Sequence, residues 1–267
     1  MTLSKANLKL VADQDEEIAI SFAGFEAWFG NDCILKDINF DIPKRAVTCI
    51  VGPSGSGKST LLRSINRINE DTPTFSTSGE LNVFGRSVDS DYSDVTELRR
   101  KVGMVFQRPC VFPCSIAENV LFGVRDKRLS KTDRRKLVEE SLRAASLWNE
   151  VSNRLDDSAV SLSLGQQQRL CIARSLAMKP DIILLDEPTA SVDPVSGRAI
   201  EETIKTLSMT YTLIMVTHDI RQTQRISDQV AFICDGTLIE AGPKAHMFSK
   251  KAAAKTRGYL SEEFCDC

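Results

Sequence analysis

The sequence feature that most constrains the fold is the octapeptide GPSGSGKS at residues 52–59, which fits the pattern G-x4-G-K-S/T. It stands between a strand-like segment, AVTCIV, and a segment with apolar residues at helical spacing. Glycines let backbone N–H groups approach phosphate oxygens, and the following helix adds partial positive charge. The pattern predicts a phosphate-binding loop in a βαβ unit, with Lys58 reaching the terminal phosphates and the Ser59 hydroxyl binding Mg²⁺. The residues expected to contact the nucleotide are Gly52, Pro53, Ser54, Gly55, Ser56, Gly57, Lys58, Ser59 and Thr60.

A second candidate site follows the apolar run at 182–185. The run predicts a buried strand whose C-terminal end delivers Asp186 and Glu187 to the edge where α/β folds bind ligands. We expect Asp186 to act on the Mg²⁺ shell and Glu187 to polarise an attacking water. Buried strands that end in acids are common in structural roles too, so this interpretation depends on the phosphate-binding loop. His218 follows the strand-like TLIMVT. It is either a polar residue that ends the strand or a residue that takes part in the chemistry.

Composition sets the class of protein. The 267 residues include 34 Lys and Arg against 36 Asp and Glu, and 42% are hydrophobic, which is ordinary for a globular protein and excludes disordered and collagen-like chains. The near-neutral charge argues against binding to bulk nucleic acid. No apolar run approaches the roughly 20 residues of a membrane-spanning helix, and the N-terminus lacks the apolar core of a secretory signal. We therefore expect a cytoplasmic protein.

The eight cysteines are too sparse for a disulfide framework. Cys49, Cys171 and Cys234 stand singly in apolar stretches, where cysteine behaves as a small hydrophobe. The close pairs at 110/114 and 265/267 lack a second pair or histidine cluster to complete a zinc site. We interpret all eight as structural or surface thiols.

The chain organisation indicates a polar arm at 1–16 followed by a single α/β domain at 17–267. Strand-like segments dominate 17–51, whereas 115–160 is mostly helical and contains little strand signal. This predicts a helical subdomain at about 108–170, inserted into the sheet. Asp193 and Pro194 mark a helix start, and the last strands form a hairpin about Asp235–Gly236.

Residues 161–169, SLSLGQQQR, resemble the signature LSGGQ-Q-QR of the ATP-binding cassette (ABC) family and precede Asp186 at the expected separation. The resemblance covers about 17–264. It implies a P-loop NTPase cassette with a RecA-like core, an antiparallel β subdomain and an inserted helical signature subdomain. It also implies an ATPase that uses ATP and Mg²⁺ and works as a head-to-tail dimer. In that dimer, one subunit's signature residues contact the ATP held by the other: Leu162, Ser163, Leu164, Gly165 and Gln166.

The resemblance assigns further roles. Gln107 matches the glutamine that contacts Mg²⁺ and senses the membrane partner, and Asp193 matches the D-loop. His218 matches the switch histidine at the γ-phosphate. Phe29 is the aromatic expected to stack on adenine, with its neighbour Trp28 as the alternative.

One departure from the family pattern concerns Leu164, which replaces the first glycine of the signature. A branched side chain cannot adopt positive φ cheaply or admit the same close approach. We expect ATP hydrolysis to be retained but altered.

Within the ABC family the chain is most similar to the ATP-binding subunits of phosphate importers, at 52–70, 102–123, 148–177 and 217–242. This implies an ATPase at the cytoplasmic face of the inner membrane, peripheral to it, that energises inorganic phosphate uptake. The implied partners are a second copy of the chain, two transmembrane permease subunits and, indirectly, a phosphate-binding protein outside; no nucleic acid is expected. Phe112 and Pro113 would receive a permease loop or belong to the core.

Other functions remain open. The chain could serve another solute, act on nucleic acid as some ABC ATPases do, or bind ATP as a regulatory scaffold. The absence of long heptad arms disfavours the chromosome-maintenance type, whereas Leu164 leaves the scaffold open.

Overall fold

The computed structural model describes residues 18–92, 94–124, 126 and 128–261. The predicted arm at 1–16 and the cysteine pair near the C-terminus lie outside these residues. No helix in the described part of the chain is long and apolar enough to cross a membrane.

Two sheets form the framework. The first is antiparallel, with the strand order β2-β1-β4-β5. Its strands are β1 (Ile18–Phe29), β2 (Asp32–Pro43), β4 (Phe75–Val83) and β5 (Arg86–Ser87). The second has the order β10-β9-β3-β8-β7-β6 and is parallel except for the antiparallel edge strand β10. Its strands are β3 (Val47–Val51), β6 (Val102–Val105), β7 (Ile182–Asp186), β8 (Thr212–Val216), β9 (Gln229–Cys234) and β10 (Thr237–Pro243).

Ten α-helices connect these strands within the described ranges. They are α1 (Lys58–Ser64), α2 (Val95–Lys101), α3 (Ile116–Leu121), α4 (Lys131–Ala144), α5 (Trp148–Val151), α6 (Leu164–Leu176), α7 (Pro194–Ser208), α8 (Ile220–Ile226), α9 (Lys244–Met247) and α10 (Ala254–Leu260). Serines begin three of them with capping boxes, in which the serine and the third helical residue satisfy each other's backbone N–H groups: Ser115, Ser130 and Ser163.

A hydrophobic core covers each face of the parallel sheet. One core joins the antiparallel sheet and α1 to side chains such as Ile50 and Leu184, and the other joins α3, α4, α6 and α7 to side chains such as Cys49 and Leu185. Because alternate strand residues point to opposite faces, every residue of β3, β7 and β8 is buried. The result confirms the predicted α/β architecture, including the hairpin about Asp235–Gly236.

The helices α3 to α6 follow β6 and precede β7 in the chain, which is where the sequence places the inserted helical subdomain. The interpretation of Cys234 needs a correction. Cys234 is buried as predicted, but it is disulfide-bonded and does not carry a free thiol. Cys33, Cys49, Cys110, Cys114 and Cys171 are free.

Candidate functional site

The phosphate-binding loop begins where β3 ends. Its backbone has positive φ at Gly52, Gly55 and Gly57 (152°, 80° and 95°), conformations that glycine adopts readily. A Cβ at Gly52 would lie 1.9 Å from the carbonyl oxygen of Ile233 in β9. The packing of the loop against the sheet therefore requires the first glycine of the motif.

Two polar groups inside the loop fit a phosphate ligand. Lys58 is 7% exposed, and its Nζ donates to the carbonyl oxygen of Pro53 at 2.6 Å, which folds the side chain over the loop. Burial lowers the pKa of Lys58, while the carboxylates of Glu187 and Asp186 act in the opposite direction. The buried Ser56 Oγ has no hydrogen-bond partner among the described residues. A phosphate oxygen would satisfy both groups.

Two of the three Mg²⁺ ligands that the sequence suggests, Ser59 and Asp186, contact each other beside this loop. The hydroxyl of Ser59, on α1, donates to Asp186 Oδ1 at 2.9 Å, and Asp186 is 2% exposed at the end of β7. Hydroxyl and carboxylate oxygens suit a hard cation such as Mg²⁺. Within the described ranges no three His, Cys, Asp or Glu side chains cluster as a metal site.

Three loops bring the predicted catalytic residues together. Glu187 Oε2 accepts a hydrogen bond from Gln107 Nε2 at 3.1 Å and lies 3.3 Å from His218 Nδ1. Gln107 follows β6, Glu187 follows β7 and His218 follows β8, so adjacent parallel strands place all three at one sheet edge. Glu187 has a φ of 44°, which is uncommon for a residue with a side chain and typical of functional sites.

The signature segment begins α6. Ser163 caps the helix by accepting from the Gln166 N–H, and the Gln166 side chain donates to Glu150 Oε2 at 2.8 Å. Ser163 and Leu164 are exposed, whereas Leu162 is buried. No hydrogen bond or ion pair between described residues joins 162–166 to the loop at 52–57 of the same chain.

The structure corrects one expectation for Leu164. It is the first residue of α6 and has no positive φ, so the expected backbone strain is absent. The reason is local, because the Ser163 cap leaves ordinary helical geometry at the next position. Its side chain is 53% exposed, and the expected steric effect on the approach to phosphate remains a prediction.

The helix that Asp193 caps packs against the signature helix at Ser196. Asp193 caps α7 by accepting from the N–H groups of Val195 and Ser196, and hydrogen bonds from Ser196 hold its pKa below the usual value. A Cβ on Gly165 would lie 2.4 Å from Ser196 Cβ. The second glycine of the signature is therefore needed for contact between α6 and α7.

The aromatic residues proposed for adenine lie at the end of β1. The Phe29 ring packs against Phe75 with the centroids 5.1 Å apart, and Trp28 pairs with Cys33 in β2. Nearby in β2, Ile34 lies next to Gly57, since a Cβ there would be 3.4 Å from Ile34 Cγ2. Stacking of adenine on Phe29 or Trp28 remains a prediction.

Two residues escaped the sequence analysis. Arg63 donates to Asp186 Oδ2 at 2.9 Å, and Gln168, fully buried in α6, donates to the carbonyl oxygen of Phe106 at 2.9 Å. Arg63 stands four residues after Ser59 and therefore shares its helix face, a signal that could have identified it. No local pattern indicates the partner of Gln168.

An apolar groove borders the segment after Gln107. Phe106 and Phe122 are 41% and 61% exposed, and the Phe122 ring stacks on Phe112 with the centroids 3.9 Å apart. The buried Asn119 side chain accepts from the Phe112 N–H and donates to the Phe112 carbonyl oxygen. Phe112 is thus half-buried in the wall of an open groove, and Pro113 is exposed.

Comparison with known proteins gives the family. The family model described as ABC transporter matches residues 35–190. The phosphate import ATP-binding protein PstB of Colwellia psychrerythraea is 46% identical over 252 residues, covering 93% of this chain and 90% of that protein. PstB 1 of Streptococcus pyogenes serotype M12, also described as a phosphate import ATP-binding protein, is 46% identical over 249 residues, covering 93% and 98%.

Among solved structures, cbiO1 of Clostridium perfringens is described as part of the ABC transporter complex cbiONQ. It superposes with a TM-score of 0.78 at 29% identity, covering 92% of this chain and all of that one. The segment matched by the family model contains the phosphate-binding loop, the signature and the acidic end of β7, and the chain therefore belongs to the ABC transporter family of ATP-binding proteins.

Proposed function

We propose that this chain hydrolyses ATP with Mg²⁺ to energise phosphate import. The observation that carries the catalytic part is the meeting of Glu187, Gln107 and His218 beside the bonded pair of Ser59 and Asp186. A phosphate loop, two metal-binding oxygens and a carboxylate that can face water are the parts that phosphoryl transfer to water requires.

The loop at 52–60 binds the phosphates of the nucleotide. Its backbone N–H groups and Lys58 hold the phosphates, and the Ser56 hydroxyl gains the acceptor it lacks. Ser59, Asp186 and Gln107 would hold Mg²⁺, which neutralises charge that develops on the phosphate oxygens. Arg63 keeps Asp186 oriented toward Ser59.

The chemical step belongs to Glu187. Its carboxylate orients a water and accepts the proton that the water loses as its oxygen attacks the γ-phosphorus, while the bond to the bridging oxygen breaks. Gln107 fixes Oε2 of this carboxylate, and His218 lies beside it on the next loop to donate to a γ-phosphate oxygen.

A second copy of the chain completes the site. In one chain the signature is not bonded to the phosphate loop, and its Ser163 hydroxyl and Leu164 side chain are exposed. A head-to-tail dimer places them on the partner's nucleotide. There the Leu164 side chain limits how closely the backbone approaches the γ-phosphate, so we expect slow turnover rather than none.

The groove beside Gln107 is the proposed binding site for the permease. Exposed aromatic rings at Phe106 and Phe122 offer an apolar surface, and Phe106 is adjacent in sequence to Gln107. A permease loop that contacts Phe106 in this groove would affect Gln107, which is the next residue in the chain. The chain would therefore lie at the cytoplasmic face of the membrane, held by two permease subunits that receive phosphate from a binding protein outside.

The solute assignment rests on the relatives named for phosphate import and on their 46% identity over nearly the whole chain. No side chain of the described site is arranged to recognise the transported ion, which would pass through the permease.

ATP turnover by the purified chain tests the catalytic proposal. Glu187→Gln should lower kcat about a hundredfold or more with ATP affinity retained, because the amide cannot accept the proton. Glu202→Gln, the same change at an exposed position of α7, should leave kcat unchanged. Equal rates for native and Glu187→Gln protein would remove Glu187 from the mechanism.

Transport tests the solute. In vesicles that contain the chain with its permease subunits and binding protein, we expect ATP-dependent accumulation of radiolabelled phosphate, abolished by Glu187→Gln and resistant to excess sulfate. Uptake of another solute without phosphate uptake would overturn the assignment of phosphate as the solute, but it would leave the proposed ATP hydrolysis intact.

A further inference from the structure

A buried glutamine outside the predicted site joins three elements. Gln222, in α8, is 1% exposed. Its Nε2 donates to Thr189 Oγ1 at 2.9 Å and to Glu201 Oε1 at 3.2 Å, and its Oε1 accepts from Thr217 Oγ1 at 2.9 Å. The side chain therefore uses both of its donors and its oxygen acceptor on partners from separate segments.

Two of these partners flank the catalytic pair. Thr189 is two residues after Glu187, and Thr217 immediately precedes His218. Gln222 is thus a bridge between the loops that follow β7 and β8, whose ends carry the Glu187 carboxylate and the His218 ring 3.3 Å apart. We expect a change in this bridge to alter the separation of those two loops.

The third partner anchors the bridge. Glu201, in α7, is held by Arg225 through bonds of 2.9 and 2.7 Å to its two oxygens. Since a carboxylate accepts hydrogen bonds, the amide nitrogen of Gln222 has to face Glu201, which leaves the amide oxygen for the Thr217 hydroxyl. Asp219 adds to the rigidity by capping α8 at the N–H of Gln222.

We propose that Gln222 is a positioning residue for ATP hydrolysis, which holds the Glu187 and His218 loops in register on α7. This inference rests on the catalytic roles proposed above. Glu187 has a strained backbone, and such a conformation persists where surrounding structure fixes it. Gln222 acts through Thr189 and Thr217 and is not placed to contact the nucleotide.

Removal of the bridge should affect catalysis more than binding. In Gln222→Met, which keeps the length of the side chain, we expect kcat to fall about tenfold or more, since small misplacements of catalytic groups are costly. The KM for ATP should stay within about twofold, because the loop at 52–60 is untouched. Thr189→Val removes one bond at nearly constant volume and should lower kcat in the same way, by less.

Thr206→Val is the matched control for Thr189→Val. The Thr206 hydroxyl donates to the Glu202 carbonyl oxygen on the exposed side of α7, away from the bridge. We expect native kcat in this variant. If Gln222→Met does not fold, Thr189→Val against Thr206→Val decides the question.

A swap separates positioning from simple loss of stability. Gln222→Glu sets two carboxylates against each other at the 3.2 Å contact and should lower both kcat and the melting temperature. Adding Glu201→Gln returns a donor to that contact, and we expect kcat to recover to within about threefold of native.

The outcomes are distinct. Full kcat in Gln222→Met or Thr189→Val, or a swap that restores the melting temperature without restoring kcat, would overturn the inference while the proposed function stands. A native chain that binds ATP but shows no turnover, alone or with its permease, would overturn the proposed function and this inference with it.

Discussion

Alanine in place of the first glycine of the phosphate loop tests the packing of this loop against the sheet. In Gly52→Ala the new Cβ would lie 1.9 Å from the Ile233 carbonyl oxygen and 2.9 Å from Ser56 Oγ, at a φ of 152°. Forcing a side chain into this backbone conformation costs about 2 kcal/mol. The close contact with β9 adds about 2 kcal/mol of overpacking.

Gly55→Ala is the matched control. Gly55 has a φ of 80°, but a Cβ there meets nothing within 4 Å, so backbone strain alone applies. This strain costs about 1.5 kcal/mol. The two variants change the same loop by the same methyl group, and most of the difference between their stabilities comes from the contacts at Gly52, chiefly with Ile233.

Thermal unfolding without nucleotide, monitored by circular dichroism, measures the stability of both variants. At about 2.5 °C per kcal/mol for a domain of this size, we expect Gly52→Ala to lower the melting temperature by about 10 °C and Gly55→Ala by about 4 °C. Equal shifts in the two variants would refute the reasoning, because they would show that β9 does not constrain the loop.

Three further changes test other parts of the account. Leu164→Gly should raise ATP turnover, because the backbone of α6 can approach a phosphate more closely, and should cost about 1 kcal/mol of stability; unchanged turnover would contradict the steric role of Leu164. Asn119→Ala should destabilise the chain by about 3 kcal/mol in urea unfolding, since it leaves the Phe112 N–H without a partner and removes the hydrogen bonds that the Asn119 amide donates to the carbonyl oxygens of Phe112 and Ser115; a loss under 1 kcal/mol would refute this. For Glu240, burial opposes ionisation, but hydrogen bonds, including those from His246 and the Ala253 N–H, hold its pKa below the usual value. The Glu240 carboxylate therefore stabilises the fold at pH values above the unfolded pKa of about 4.3, and this contribution is lost as the pH falls through the lower folded pKa. Glu240→Gln should lower the melting temperature near pH 7 and should have the same melting temperature as the native chain at low pH. A difference in melting temperature that stays constant with pH would contradict this linkage.

Local pattern predicted the elements that carry the site. The glycines and Lys58 of the phosphate loop are adjacent in sequence, and an apolar run ending in Asp186 and Glu187 describes a buried strand and its ligand-facing end. For these residues, the same short segment contains both the pattern that determines the local structure and the side chains that carry the chemistry. His218 was ambiguous from its strand alone, and the position of β8 beside β7 places it against Glu187.

The partners in contacts between distant segments were not predictable, although the position of Arg63 on the same helix face as Ser59 was a partial signal. Arg63 and Asp186 are 123 residues apart, and Gln168 and Phe106 are 62 apart. Their pairing depends on how α1 and α6 pack on the sheet, which no window of the sequence encodes. The bridge at Gln222 is of the same kind, since the sequence of α8 does not indicate which segments Gln222 contacts.

Leu164 shows the opposite error. The family pattern suggested that a glycine conformation was needed at this position, but Ser163 caps α6 and leaves its first residue with helical geometry. The substitution is therefore a change of surface shape at the signature and not a backbone defect.

Sedimentation equilibrium of Glu187→Gln with and without ATP and Mg²⁺ tests the central claim most directly, because this variant should bind ATP without consuming it. We predict a monomer without nucleotide and twice that mass with it, and loss of the dimer when Ser163→Glu adds a negative charge facing the partner's phosphates. A variant that binds ATP but stays monomeric at saturating nucleotide would contradict the account.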